Sequence, residues 1–577
     1  MKRCPQCNRV ETDEALKFCR VDGTTLVSDS VSLNGEAGTA QLGSLSNPNE
    51  VHTSILPKHT DANINRATAP TTVLPSPVSA TGTGKLTKAR YKTFAIAGVI
   101  LTVITVGLAA YFVLVRKTST AISSIAVLPL VNASGDKETE FLSDGISETL
   151  INNFTRIPTL RVTARSTAFR YKGKDIEPQQ IGRELGVGAI LTGKGLQRGD
   201  SLNIQVDLIN ATDGSQIWGN SYNGKASEIL DLQQRIARDV SENLKWRLSG
   251  AQEQQIAKTY TANPEAYQLY LKGRFYWNKR TAENLQKAIE QFRAAADKDP
   301  NYALAYVGLA DSYVLLEEYA GKPVSESLPP AREFATRAVQ IDDSLAEAHV
   351  SLGLVHDHLW QWADSEKEFK RAIELNPNYP TAHHWYSVYL RDMGRYDEAL
   401  TEIRHARDLD PLSLIINFNV ALAYLIKGDA NTALDQMKRT MELDPNYSAS
   451  HIFLGRAYVK QGRVNEALAE MQKDAALNLS LNLRYFGYTQ ALAGKREDAM
   501  ATAKELERRY MIHEAIAQDV ALVYVGLGDH DQAFAWLEKD FQARSGILQF
   551  VRSLPEFESL HSDARYLDLM RRMNLPQ

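Results

Sequence analysis

Small, apolar and turn-forming residues recur in one register through the second half of this 577-residue chain. A small side chain lets two helices approach, glycine serves the turn between them, and proline ends the second helix. The pattern predicts antiparallel helix pairs stacked into an all-α solenoid over residues 263–577, about seven or eight pairs in all. Most members of each set are spaced by 34 residues; the small residues are Ser365, Ala399, Ala433, Ala467, Ala499 and Ala533, the glycines are Gly394, Gly428 and Gly462, and the prolines are Pro377, Pro411 and Pro445.

The ends of this array are less regular than its middle. Residues 317–330 include Pro329 and Pro330, and this composition predicts a long loop inserted within the second repeat. Residues 563–573 predict a final helix that caps the array, because a solenoid needs a polar outer face at its end. The apolar stripe of that helix is predicted to comprise Leu567, Met570 and Met573.

Shorter apolar runs between residues 122 and 250 predict a separate globular domain. Residues 124–130 form a β-like run, Asp144 is placed to cap a helix, and residues 202–208 alternate between apolar and polar as a half-buried strand does. A long amphipathic pattern follows over residues 229–248. The predicted order β-α-β-α-β-β-β-α indicates a compact α/β domain.

A third pattern is continuous rather than periodic. Residues 93–115 carry no formal charge, and as a helix they would span about 35 Å, enough for a hydrocarbon core of about 30 Å. The alternative is a buried core helix, but a polar linker at residues 28–92 precedes the segment and favours a transmembrane helix. More cations lie before the segment than after it. This predicts a cytoplasmic N-terminus and extracytoplasmic C-terminal domains in a bacterial inner (cytoplasmic) membrane. The cations are Lys85, Lys88, Arg90 and Lys92 before it, and Arg116 and Lys117 after it.

The first 27 residues hold all three cysteines of the chain. Cys4 and Cys7 are separated by two residues, and Cys19 is followed by Asp22 at the same spacing, so the segment resembles a zinc ribbon with aspartate in place of the fourth cysteine. The prediction is a structural Zn site made of Cys4, Cys7, Cys19 and Asp22. The alternative is a ribbon that no longer holds metal.

Two stretches carry resemblances to known families. The 34-residue register resembles tetratricopeptide repeats. The stretches SIAVLPLVNASGD and FLSDGISETLINNFTRIPTLRVTARSTAF, within residues 122–250, resemble the TolB amino-terminal-like domain that occurs beside such repeats. That family commonly places a kinase, cyclase or DNA-binding domain on the cytoplasmic side of a membrane helix. This chain has only the ribbon and the linker there, so the resemblance does not carry those activities over.

Chemistry-bearing motifs do not stand out in this sequence. It has no HExxH, GxSxG or calcium-loop motif, and it offers no recognisable set of nucleophile, base and orienting group, so the expectation is a chain that is not an enzyme. His349, His383 and His451 share one position of the repeat, which predicts packing rather than metal binding. A net charge of −4 gives no general case for nucleic-acid binding.

The inner surface of the solenoid is the predicted partner-binding site. Aromatic and arginine side chains on an apolar floor are typical of a surface that binds a protein or peptide. The alternative is ordinary packing between repeats. The candidate residues are His384, Arg391, Phe418, Leu422, Ile452 and Arg456.

Together these patterns predict a multidomain, single-pass membrane protein. It would bind a protein or peptide partner through its extracytoplasmic α/β and repeat region, as a scaffold or sensor. The alternative is a transmembrane signalling or transcription regulator that acts through its cytoplasmic ribbon.

The zinc site generates the first testable prediction. A peptide of residues 1–28 should bind one zinc ion and unfold with a chelator, because so short a segment buries little core without metal. Cys19→Ala should weaken binding more than Asp22→Ala, since the thiolate is the softer ligand. Elemental analysis and circular dichroism measure both; a purified segment without zinc would contradict the assignment.

Overall fold

The computed structural model describes residues 2–3, 10–11, 27–28 and 122–576, apart from 245–248, 257, 321, 445–448 and 476–478. The chain divides into two compact units, Met1–Val103 and Ile104–Gln577. In the first unit three short strands, β1 (Lys2–Arg3), β2 (Val10–Glu11) and β3 (Val27–Ser28), form an antiparallel sheet in the order β2-β1-β3.

Several predictions concern residues outside this description. They are the four zinc ligands Cys4, Cys7, Cys19 and Asp22, the linker beyond Ser28, and the membrane segment 93–115. Among the helices of the described residues, none is both long enough and apolar enough to cross a membrane.

The α/β domain is built around a six-stranded sheet. The strands are β4 (Ser124–Val127), β5 (Val131–Asn132), β6 (Arg161–Val162), β7 (Ala189–Arg198), β8 (Ser201–Asn210) and β9 (Gln216–Lys225); the helices are α1 (Glu140–Thr155), α2 (Arg165–Ala168), α3 (Pro178–Leu185), α4 (Ile229–Asn243) and α5 (Gly250–Ile256). The main path of the sheet runs β6-β4-β7-β8-β9, and β5 pairs with β7. Pairing is parallel among β4, β5, β6 and β7 and antiparallel from β7 to β9.

This domain confirms the predicted α/β class, with two local corrections. The strand predicted over residues 124–130 ends at Val127, with one further backbone hydrogen bond from Leu128 to Leu191, and a second strand begins at Val131. Asp144 lies inside α1 rather than at its start, where it is buried and forms an ion pair with Lys172. Helix α1 begins at Glu140, one turn before the position that the capping signal suggested.

The rest of the described chain is helical and forms eight antiparallel helix pairs, followed by a terminal helix. This confirms the predicted solenoid. The pairs are α6 (Pro264–Trp277) with α7 (Ala282–Lys298), α8 (Ala303–Ala320) with α9 (Val324–Ile341), α10 (Ala346–His358) with α11 (Trp362–Leu375), α12 (Pro380–Asp392) with α13 (Tyr396–Leu409), α14 (Leu414–Ile426) with α15 (Ala430–Leu443), α16 (Ala449–Lys460) with α17 (Val464–Ala475), α18 (Leu479–Leu492) with α19 (Arg496–Met511), and α20 (Ala517–Gly526) with α21 (His530–Gln542); the short α22 (Phe550–Ser553), a 3₁₀ turn (Pro555–Leu560) and α23 (Ala564–Arg572) follow.

The predicted loop at residues 317–330 is wrong. Helix α8 continues to Ala320 and α9 begins at Val324, so Pro329 and Pro330 lie inside a helix. Proline removes a backbone donor from a helix, but Leu328 and the alanines after it are buried against neighbouring helices. Their burial outweighs the lost hydrogen bonds.

The cap helix α23 is present, but its apolar stripe is shifted. Leu567, predicted to be part of the stripe, is 46% exposed, whereas Tyr566 and Leu569 are buried beside Met570 and Met573. The arginine at position 572 bonds to Glu538 on α21, and this contact helps to fix the rotation of the helix.

A polar contact recurs inside the repeats and explains the periodic histidines. His383 lies between the two helices of its repeat, with Nδ1 2.6 Å from Glu402 Oε2 and Nε2 3.0 Å from the carbonyl oxygen of Pro377. His349 has the same pair of contacts, with Glu368 and with the carbonyl of Asp343. Burial, the largest single influence, would lower the pKa of His349, but its hydrogen bonds to Glu368 and to the carbonyl of Asp343, together with the charge of Glu368, outweigh burial and raise that pKa.

The next repeat makes the same contact with amides. Asn417 donates to the carbonyl of Pro411 over 2.7 Å and accepts from Gln436 over 2.9 Å. Gln436 stands at the position that glutamate holds in the histidine repeats. The position therefore requires a side chain that bridges the second helix and the preceding loop, which agrees with the packing role predicted for the histidines.

This contact gives a stability prediction with an internal control. His383→Ala should lower the thermal unfolding midpoint, since about 1–3 kcal/mol is lost when a buried polar partner is left unpaired. The double variant His383→Asn/Glu402→Gln copies the pair Asn417–Gln436 and should keep most of the original midpoint. Equal losses in both variants, measured by circular dichroism, would show that the amide pair cannot replace the histidine–glutamate pair, and no loss in His383→Ala would show that the bridge contributes nothing.

Candidate partner-binding site

The first helix of each repeat forms the inner side of the solenoid. First helices of successive repeats pack against one another, as α8 does on α10 and α10 on α12. Side chains near the ends of these inner helices therefore face a common surface. That surface is the place where the sequence predicted a partner.

The inner surface is occupied by a later part of the same chain, residues 545–560, which we call the closing segment. It contains α22 and the 3₁₀ turn and lies between the last repeat and α23. Its apolar side chains belong to the same buried cluster as the inner helices. They are Leu548, Val551, Leu554, Phe557 and Leu560.

Carboxylates at the ends of the inner helices hold the first half of the closing segment. Glu317, on α8, accepts hydrogen bonds from the Ser545 hydroxyl at 3.2 Å and from the Gly546 backbone N–H at 3.1 Å. Asp357, on α10, accepts from the Gln549 side-chain amide at 3.2 Å. Each carboxylate is buried, so it needs these donors.

The end of α12 continues the same row of contacts. Asp392 accepts from the Ser553 hydroxyl at 2.9 Å, and its backbone carbonyl accepts from Arg552 at 2.8 Å. Arg391 is paired with Asp392, and its guanidinium lies 4.7 Å from the centre of the Phe550 ring. The inner surface thus combines ionic, polar and cation–π contacts to one short segment.

The strongest polar contact is a buried bidentate ion pair. Arg456, on α16, donates from Nε and Nη2 to the two carboxylate oxygens of Glu556, over 2.5 and 2.8 Å. Both side chains are buried. Burial, the largest single influence, would lower the pKa of the Arg456 guanidinium, but the charge of Glu556, the neighbouring Tyr485 and the hydrogen bonds to Glu556 together outweigh burial and raise that pKa. Fork-to-fork geometry makes such a pair selective for a carboxylate.

Five of the six predicted partner residues divide into two groups. Arg391 and Arg456 contact the closing segment directly, as described above. Phe418, Leu422 and Ile452 are buried in the cluster that the inner helices share with the segment. The ring centres of Phe418 and its neighbour Phe453 are 3.6 Å apart.

His384 completes the set and is buried too. Its Nε2 lies 3.1 Å from the side-chain amide of Asn419. Burial, and then the positive charge of Arg391, lower the pKa of His384 to about 3, so the ring is neutral at physiological pH.

Sequence reasoning missed the acidic side of this surface. Asp357 and Asp392 both lie in the last turn of an inner helix, about one repeat length apart. The repeat spacing could therefore have been used to predict them. Glu556 could not have been found in this way, because it lies outside the repeats and a hundred residues from Arg456.

The α/β domain contacts the opposite ends of the inner helices. Thr167 donates to Asp410 over 2.7 Å and accepts from the Leu412 backbone N–H over 2.9 Å, just before α14 begins. The Asn378 side chain donates to the carbonyl of Ile157 over 3.1 Å, just before α12. The starts of the inner helices therefore face the α/β domain, and their ends face the closing segment.

Some buried polar atoms at this contact have no partner within the described protein. They are Asp357 Oδ1, Asp540 Oδ2 and Gln549 Oε1. Burial, and then the charge of Asp392, raise the pKa of Asp357 to about 7. The closing segment therefore fills the apolar part of the surface well and its acidic part incompletely.

Family comparisons match two parts of this architecture. Residues 120–239 match the family described as HilA/YgeH-like transcriptional regulator, second domain. Residues 277–321, 368–401, 387–448 and 424–477 match tetratricopeptide repeat families. The chain thus contains tetratricopeptide repeats, and the TolB-like resemblance of its α/β domain finds no counterpart in these matches.

Two kinds of relative share sequence with the chain. One is "Putative adenylate cyclase 3" of Rhizobium meliloti, 29% identical over 286 residues, which are 48% of this chain and 41% of that protein. Another is transcriptional regulator HilA of Salmonella typhimurium, 27% identical over 143 residues, which are 25% of this chain and 26% of that protein. The chain thus spans less than half the length of either relative.

Solved structures with similar helices include YrrB, a tetratricopeptide repeat (TPR) protein with an unusual peptide-binding site. It is 19% identical, with a TM-score of 0.24, and the match covers 32% of this chain and 92% of that one. Human IFIT1 in a monomeric mutant form is 14% identical, with a TM-score of 0.39, covering 55% and 89%.

The cyclase relative corrects one expectation. The prediction that this chain is not an enzyme is contradicted by its similarity to a protein named as an adenylate cyclase. The prediction relied on local motifs, and such a search misses catalytic groups that come together only in the folded protein.

The Asp357 carboxylate, which is buried with only one of its oxygens hydrogen-bonded to a described residue, gives a prediction with a definite pH dependence. In the unfolded chain its pKa is about 3.9, so below that pH both states are protonated and the carboxylate costs nothing. As pH rises from about 4 to about 7 the unfolded chain ionises first, and the cost of burying the charge grows and then stays constant. Asp357→Asn, which keeps an acceptor for Gln549, should raise the unfolding midpoint more at pH 8 than at pH 5.

The exposed Asp408 is the matched control. Its side chain is 68% exposed, so Asp408→Asn should change the midpoint little at either pH. An Asp357→Asn shift of equal size at both pH values would contradict a raised pKa at this position.

Proposed function

We propose that this chain is a scaffold or sensor that binds a protein or peptide partner through its α/β and repeat region. One observation carries the proposal: the inner surface of the solenoid already grips an irregular peptide segment. Arg456 holds a carboxylate, Arg391 lies over an aromatic ring, and an apolar floor lies between them. These are the side chains that anchor protein interfaces.

The proposal includes the arrangement at the membrane. Residues 93–115 cross the inner membrane once, with the N-terminus in the cytoplasm and the repeats outside; the excess of cations before the segment supports this orientation. Cys4, Cys7, Cys19 and Asp22 hold a structural zinc ion, supported by their spacing. The α/β domain is TolB amino-terminal-like, supported by the stretches within residues 122–250.

A second candidate is a transmembrane signalling or transcription regulator that acts through the zinc ribbon. The observation in its favour is the match of residues 120–239 to a domain of HilA/YgeH-like transcriptional regulators. In this case the partner lies in the cytoplasm and contacts residues 1–27. The two candidates therefore differ in which end of the chain captures the partner.

Crosslinking in intact cells, followed by purification of the chain, separates the two candidates. We expect the full chain and a chain lacking residues 1–28 to capture the same partner, and Arg456→Ala to lose it. Loss of the partner on deletion of residues 1–28, with Arg456→Ala unaffected, would favour the ribbon instead. Circular dichroism of each variant checks that the helices remain.

Arg463 provides a matched control. It is a half-exposed arginine just beyond α16 that pairs with Glu466 across 2.6 Å. Because its guanidinium is away from the closing segment, Arg463→Ala should capture the partner as well as the original chain does. Equal losses for Arg456→Ala and Arg463→Ala would point to nonspecific electrostatics.

A further inference from the structure

We propose that the closing segment is a displaceable occupant of the inner surface, and that the partner is a peptide with a carboxylate for Arg456 and apolar side chains for the seats of Leu554 and Phe557. This inference rests on the proposed function and adds to it the chemistry of the partner and the contact that regulates its access.

The closing segment is built as a separate unit. Its hydrogen bonds between backbone groups are local, as from Val551 N to Leu548 O. Backbone groups at its start also bond to side chains of the repeats: Gly546 N–H donates to Glu317, and the carbonyl of Ile547 accepts from Gln518. Its bonds to Asp357, Asp392 and Arg456 run through side chains of the segment. Release therefore breaks no backbone ladder of the repeats.

Both ends of the segment are held by other contacts. Helix α21 ends at Gln542, before the segment begins, and the cap helix α23 follows it. Arg572 of α23 pairs with Glu538 of α21 over 2.6 Å, and Arg565 pairs with Asp531 over 2.8 Å. The segment can swing out as a loop while α23 stays docked.

The fit between segment and surface leaves room for a better occupant. Asp357 Oδ1, Asp540 Oδ2 and Gln549 Oε1 are buried without a partner in the described protein, and each such atom costs roughly 1–3 kcal/mol. A peptide that donates to Asp357 or Asp540, while keeping the carboxylate at Arg456, satisfies atoms that the closing segment leaves unpaired. The partner is thus a mixed-charge, apolar peptide rather than a uniformly acidic one.

Competition with a tethered segment sets the expected affinities. A tethered occupant acts at an effective concentration on the order of millimolar, so a free peptide of equal affinity binds the closed chain weakly. Weakening the tethered occupant removes this competition. The closing segment is therefore an autoinhibitory contact that an extended partner overcomes through extra donors.

The test uses full-length chains and a fluorescent synthetic peptide of residues 545–561 as the probe. Glu556→Arg in the chain places a second cation against Arg456 and should release the tethered segment. We expect the peptide to bind this variant at least about tenfold more tightly than the original chain, measured by fluorescence anisotropy. The peptide carrying Glu556→Arg should not bind the Glu556→Arg chain.

A charge swap identifies the seat. The chain with Arg456→Glu should bind the Glu556→Arg peptide and reject the original one, because the ion pair is then reversed. Binding that ignores these charges would overturn the assignment of Arg456 as the carboxylate seat.

Hydrogen exchange on the original chain covers the case in which a variant does not fold. Amides of Val551 and Phe557 should exchange through a local opening, at least about tenfold faster than the core of α12. Exchange of the segment only together with α12 would overturn the inference, because the segment would then be a fixed part of the core.

The outcomes for this inference and for the proposed function are distinguishable. If the peptide binds in vitro but no partner is captured in cells, the inference that the segment is displaceable is supported and the proposed function is rejected. Partner capture that survives Arg456→Ala, without peptide exchange, would reject the displaceable segment and leave protein binding to another surface.

Discussion

The ion pair between Arg456 and Glu556 connects two parts of the chain that the repeat architecture does not bring together. In a solenoid each repeat contacts mainly its neighbours, so distant repeats are coupled only through the stack. Glu556 belongs to a segment that also reaches Glu317, Asp357 and Asp392 on other repeats. One short segment thus gives the array the long-range contacts that a linear stack lacks.

The polar bridges inside the repeats are hydrogen-bonded more completely than the contact between the repeats and the closing segment. The bridges made by His383 and Asn417 satisfy a buried polar position within their own repeats. The contact to the closing segment is tight at Arg456 and incomplete at Asp357. Polar groups are therefore more completely paired in these bridges than at the closing contact, which retains acceptors that other donors could use.

The solenoid was predictable because its signal is local and repeated. Small residues such as Ala433 and turn glycines such as Gly428 are needed wherever two helices meet, so their spacing revealed the helix pairs. The loop expected around Pro329 failed because burial of Leu328 outweighed the effect of proline. Such burial depends on contacts with residues far away in the sequence, and local composition does not show those contacts.

The candidate site was predictable only on one side. The register placed Arg391 and Arg456 on the inner surface, but it could not show that the chain itself supplies Phe550 and Glu556 to meet them. From the sequence alone, the two arginines were therefore predicted to bind a separate partner.

The closed arrangement changes what such a surface implies about function. An arginine that is desolvated and paired has a defined ligand chemistry, because its fork of N–H donors matches an oxyanion with two oxygens in one plane, such as a carboxylate or a phosphate. Glu556 therefore identifies the group that any competitor must present at Arg456. The unpaired oxygen of Asp357 identifies where a competitor gains over the chain's own segment. Selectivity then follows from both positions together. A peptide that matches only Arg456 has no higher affinity than the closing segment, which is tethered to the chain and so outcompetes it.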